Sequence, residues 1–135
     1  PEIQIRLVGS GDVYKRQVQC NEKVGNDMSI LEKLNKAIME KDGAAAGELV
    51  HDDYKMFSHL KGEYVHMGKA GMVEAVSKGM MSPAKYRILF ENDEIGFDHS
   101  YVTYQDGNTE ALMCCWKFKD GKIIEVETGA TKIPK

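Results

Sequence analysis

The stretch that decides the fold is IGFDHSYVTYQDGNTEALMCCWKFKDGKIIEVETGATK, residues 95–132. Two Asp-Gly pairs, Asp106-Gly107 and Asp120-Gly121, cut it into three segments rich in aromatic and β-branched residues. Asp-Gly between such segments is a strong hairpin signal, because both turn positions tolerate positive φ. The reading is strands over Ile95–Tyr104, Thr109–Lys119 and Lys122–Lys132. Gly96 marks a bulge or bend in the first of them. Just upstream, Lys85–Glu91 alternates Tyr86, Ile88 and Phe90 against charged residues, which adds a fourth strand.

Before these strands the period changes from two to 3.6. Ser29-Ile30-Leu31-Glu32 is a capping box. Ile30, Leu31, Leu34, Ala37 and Ile38 then form one apolar stripe. Gly43 is read as its stop, and the Ala-rich segment 44–50 as a short second helix ending near His51-Asp52-Asp53. Tyr54–His59 alternates as a strand, turned by Lys61-Gly62, with a short return over Glu63–Met67. Lys69–Met81 reads as a third helix that Pro83 terminates. Helices first and a run of antiparallel strands afterwards predict an α+β domain with helices over one face of the sheet.

Residues 1–27 fit this pattern badly. VGSGDVYKRQ, residues 8–17, resembles translated sequencing-adapter read-through. The expectation is a foreign or disordered tail over 1–27 and one domain over 28–135; the alternative is a short strand centred on IQIRLV.

Bulk properties narrow the function classes. The 135 residues suffice for one domain. A net charge of −3 with no long basic run argues against a nucleic-acid partner. No apolar stretch approaches the ~20 residues of a membrane span. Cys20, Cys114 and Cys115 are too few and too poorly placed for a disulfide framework, which points to reduced thiols and a cytoplasmic protein. Eight Met residues suit an adaptable core or a permissive apolar pocket.

The strings KDGAAAGELVHDDYKMF, GKAGMVEAV and KFKDGKIIEVE, in this order, resemble the NTF2-like superfamily, and within it the SnoaL-like and ketosteroid-isomerase-like proteins. The likeness covers about residues 28–132. It implies a cone-shaped fold in which a curved antiparallel sheet wraps around N-terminal helices, a deep apolar pocket between them, and a homodimer through the outer sheet face. The isomerases of this group carry a Tyr, an Asp base and a protonated Asp. Aligned through the motifs, those positions fall at Leu34, Ser58 and Cys114 here, and all three are changed. Ser is no base at neutral pH and Leu cannot donate to an oxyanion. A register one residue later would bring in His59, which could act as a base. The resemblance implies the fold, and the residues argue against that activity.

Three groups remain as candidates for chemistry. His99 lies among Phe97 and Tyr101; if the three share the inner face, a titratable imidazole sits in an aromatic pocket. The plainer reading is a strand histidine at a pocket rim. Glu125 and Glu127 alternate with Val126, and an inward Glu would be a raised-pKa proton carrier, whereas an outward pair would be solvated. His99 with Glu127 across a pocket is thus the enzymatic reading, for an isomerase, cyclase, dehydratase or hydrolase. Tyr54, Met56 and Ser58 on one strand, with Cys114 and Trp116 on another, are expected to line the pocket alongside Leu34 and His59; simple core packing is the alternative. Met113 and Cys115 occupy the other face, whose cover would be a second subunit. His51, His59 and His66 do not have metal-ligand spacing, and no cofactor motif is present. The function expected is binding of a small apolar molecule, with proton-transfer catalysis or a non-catalytic interaction role as alternatives.

Overall fold

The computed structural model describes residues 28–135. The order is α1 (Ile30–Glu40), α2 (Gly43–Leu49), β1 (Val50–Ser58), β2 (Glu63–Val65), α3 (Lys69–Ser77), β3 (Met81–Glu91), β4 (Ile95–Tyr104), β5 (Thr109–Lys119) and β6 (Lys122–Ile133). The tail expected over residues 1–27 lies outside the described residues.

The capping box forms as its spacing requires. Ser29 Oγ accepts from the Glu32 N–H at 3.2 Å, and Glu32 Oε1 accepts from the Ser29 N–H at 2.8 Å. The apolar stripe buries Leu31, Leu34 and Ala37 against the sheet. Each fully buried Leu contributes roughly 2 kcal/mol. Lys41, at φ 57°, ends α1, and Asp42 caps α2 through Ala45 N–H at 3.0 Å. Gly43 opens α2 and does not stop α1.

The six strands form one open sheet in the order β2-β1-β6-β5-β4-β3. The sheet is mixed and not wholly antiparallel, because β1 runs parallel to β6. Turn chemistry cannot announce that pairing, which joins strands far apart in sequence. The β5–β6 turn has both Asp120 (φ 55°) and Gly121 (φ 75°) left-handed, as a two-residue hairpin demands. The β4–β5 turn is longer, and only Gly107 is left-handed there.

Two boundaries differ from expectation. α3 stops at Ser77, and Pro83 lies inside β3 instead of ending a helix. β3 is a sheet edge, where a missing N–H costs no ladder bond. The acidic His51-Asp52-Asp53 run belongs to β1, not to a helix end.

The core lies between the helices and one face of the sheet. Leu31, Leu34, Ala46, Met72 and Val76 meet Val50, Tyr54, Trp116, Phe118, Ile123 and Val126. Gly96 sits here because a Cβ would come within 2.8 Å of Leu31 Cδ1; close approach, and not a bulge, explains it.

Candidate functional site

Strand register fixes which side chains share the helix-facing surface. Ser58 pairs with Thr128, Thr128 with Cys114, and Cys114 with Asp98. These four polar residues form one row across β1, β6, β5 and β4. The next row inward is Met56, Val126, Trp116 and Gly96, under the helices. The next row outward holds Ala130, Leu112 and Ser100. The polar row therefore marks the border of the packed core.

Asp98 is the group with the most chemical potential in this row. It is 6% exposed, and Tyr86 donates to its Oδ2 at 2.9 Å. Burial pushes its carboxyl above the ordinary carboxylate range, against the opposing pull of Trp116, Tyr86 and His99. Cys114 beside it is pushed up to about 12, chiefly by burial, so its thiol stays protonated. The Sγ of Cys114 lies 3.7 Å from Thr128 Oγ1. Tyr54 and Tyr86 both lie within electrostatic reach of Cys114, and burial raises both phenols.

Two donors around the row are unsatisfied. Tyr54 Oη and Trp116 Nε1 are buried and have no hydrogen-bond partner among the described residues. Trp116 Nε1 faces the Asp98 carboxyl without completing a hydrogen bond of good geometry. Leaving a buried donor unmade costs about 1–3 kcal/mol, so such atoms mark places where another partner is favoured.

The sequence-derived residues divide between the two faces. Leu34, Tyr54, Met56, Ser58, Cys114 and Trp116 all lie on the helix side, and Ser58 and Cys114 share the polar row. His99 does not join them. It pairs with Met113 and Arg87 and points away from the helices with Phe97 and Tyr101. Its ring meets Tyr101 edge-on at 5.2 Å. Glu127 also faces outward, paired with Cys115 and Phe57. A register shift at Lys117/Phe118 puts Ile123 on the inner face while Glu125 and Glu127 stay outside. His99 and Glu127 are two strands and two residues apart, roughly 12 Å between Cα atoms by strand geometry. They share a surface but not a site.

His59 belongs to that outer surface as well. With Leu60, His99, Ala111, Met113 and Thr131 it lines an open depression of about 490 Å³. A second depression, about 470 Å³, lies between Tyr54, Lys55, Tyr64 and the segment before α3. Neither of these two is lined by Leu34, Met56, Asp98, Cys114 or Trp116. Glu125 is held outside by Lys117 at 3.3 Å and Lys55 at 3.8 Å. No cluster of three or more His, Cys, Asp or Glu side chains able to hold a metal occurs among the described residues. No helix among them is long and apolar enough to cross a membrane.

Sequence reasoning missed Asp98, Tyr86 and Glu91. Asp98 is adjacent to His99 in β4, on the opposite face. The available signal was that Gly96 must face a crowded neighbour, which places 98 and 100 on the same inward face.

Solved structures with this fold are numerous. An NTF2-like protein of unknown function from Burkholderia xenovorans LB400 is 20% identical, with 78% of this chain and 85% of that chain covered and a TM-score of 0.59. An NTF2-like protein of unknown function from Cytophaga hutchinsonii is 12% identical over 78% and 94%, with a TM-score of 0.64. A proposed ketosteroid isomerase from Kribbella flavida is 13% identical over 78% of each chain, with a TM-score of 0.60. No protein-family model and no curated protein matches the sequence. At these identities the likeness establishes the fold: an α+β, NTF2-like cone with an open mixed sheet.

Proposed function

We propose that this NTF2-like chain binds a small, largely apolar molecule on the inner face of its sheet, as SnoaL-like proteins would. Leu34, Met56, Leu112 and Trp116 supply the apolar surface. The polar group of the ligand meets Tyr54 Oη, Trp116 Nε1 and Asp98. The observation that carries this reading is the pair of buried donors without partners, Trp116 Nε1 facing the buried Asp98 carboxyl and Tyr54 Oη within electrostatic reach of Cys114. A dry apolar core would be better served by Phe at both positions.

Saturation-transfer NMR against a panel of small apolar molecules with one carbonyl or hydroxyl tests the reading. Binding should be detected for the wild type and weakened roughly tenfold or more by Trp116→Phe, as loss of one buried hydrogen bond predicts. Equal binding to wild type and variant would defeat it.

Proton transfer is the second reading, and Asp98 favours it over His99 with Glu127. Asp98 is buried and its pKa is raised, as a proton carrier requires, whereas the other two face outward. The outer face, with Phe57, Tyr64, Phe97, Tyr101 and Met113, suits cover by a second copy in a homodimer. Light scattering at micromolar concentration should give twice the chain mass, and Met113→Lys should shift it to one. The free Cys114 and Cys115 suit a reducing compartment such as the cytoplasm.

A further inference from the structure

The inner-face site is roofed, and its roof is fastened at one end by side chains from the sheet. Leu31, in the first turn of α1, lies directly over Gly96, whose strand partner is Trp116. Asp98 follows two residues along the same face. The first turn of α1 therefore stands beside Asp98 and Trp116 on the helix side.

That turn is gripped from a distance in sequence. Glu91, at the end of β3, accepts the Leu31 N–H at 3.3 Å and also engages Ser29. It is a helix cap supplied by the sheet, sixty residues away. The same carboxyl side chain is half-buried beside Asp98 and Glu32. Tyr86, also on β3, places its hydroxyl 2.9 Å from Asp98 Oδ2 and 3.4 Å from the Leu31 carbonyl oxygen. One hydroxyl thus bridges the site and the roof. At its other end α1 is tied to α2 through left-handed Lys41 and the Asp42 cap, a natural fulcrum.

We propose that the first turn of α1 is a gate over Asp98 and Trp116, latched to the sheet by Glu91 and Tyr86. This rests on the reading that a ligand occupies the inner face, but the gate itself is tested without one. Cys114 is the reporter: it is buried under the same roof and labels only when the interior opens.

The experiment uses the full chain carrying Cys20→Ser and Cys115→Ser, with N-ethylmaleimide as the probe. Glu91→Ala should speed Cys114 labelling roughly tenfold, the size of a lost helix cap. Glu91→Gln keeps an acceptor and should give a smaller rise. Tyr86→Phe, which keeps the packing, should also speed labelling and serves if Glu91→Ala does not fold. Amide exchange across β5 should stay unchanged in the same variants. Labelling unaltered in Glu91→Ala and Tyr86→Phe would overturn the gate, as would a matching rise in β5 exchange, which signals loosening of the whole domain. If the variants gate Cys114 while no small molecule binds, the ligand reading fails and the gate stands.

Discussion

The two faces of the sheet are built from the same strands, alternating except at the register shifts, yet they carry opposite chemistry. The inner face holds Ile123, Val126, Trp116 and Tyr54, with one row of polar residues ending in buried Asp98. The outer face holds His59, His99, Glu125, Glu127 and Lys117, residues that look more catalytic in a list. Burial reverses that ranking. A carboxyl in the core is forced toward its protonated form and meets buried donors, whereas Glu125 outside is settled by lysines. One residue of phase decides which groups are chemically unusual.

The sharpest contrast comes from neighbours on β6. Ile123→Ala should cost about 2–5 kcal/mol in urea unfolding, since its side chain is wholly buried. Glu127→Ala, on the other face, should fall within about 0.5 kcal/mol. Similar costs for both would break the face assignment.

Two glycines offer a second comparison. Gly96→Ala puts a methyl 2.8 Å from Leu31 Cδ1 and 3.3 Å from Phe118. It should cost about 1–3 kcal/mol by overpacking. Gly129→Ala meets the His59 ring at 3.3 Å on the outer side, where a side chain can give, and the Met113 carbonyl oxygen at an ordinary 3.7 Å. Its thermal midpoint should move less than that of Gly96→Ala.

Asp98 gives the inner face a pH signature of its own. Burial makes the folded state hold its proton more tightly than the unfolded chain does. Between the ordinary carboxylate pKa and the raised one, the folded state binds more protons, so stability falls as pH rises. Asp98→Asn should flatten that slope in urea midpoints taken from pH 4 to 7. The residual fall belongs to Glu91, which burial also raises. An unchanged slope in the variant would place the titration elsewhere. A small effect is expected at Lys117→Ala, which loosens a half-exposed ion pair with Glu125 and should cost under about 1 kcal/mol, less at high salt.

What the sequence disclosed follows from how local each signal is. The Ser29–Glu32 cap and the Asp120-Gly121 hairpin are complete within a few residues, and both form as read. Tyr54, Met56, Cys114 and Trp116 alternate cleanly enough to fix an inward face. β4 was ambiguous because polar and aromatic groups occupy both of its faces, Asp98 and Ser100 on one, His99 and Tyr101 on the other. Its phase is set by Leu31 pressing on Gly96, a contact between residues 65 positions apart. The parallel pairing of β1 with β6 and the place of Pro83 on an edge are likewise decided by topology, which no local pattern encodes.

Trp116 is the sole tryptophan of the chain, so its indole N–H gives one unmistakable NMR peak. Titrating a small apolar ketone while following that peak tests the inner-face site most directly. A saturable shift of the indole peak, lost when Asp98 and Tyr54 are replaced by Asn and Phe, is the expected result. A motionless indole, with shifts gathered instead at His59, His99 and Met113, would contradict the account.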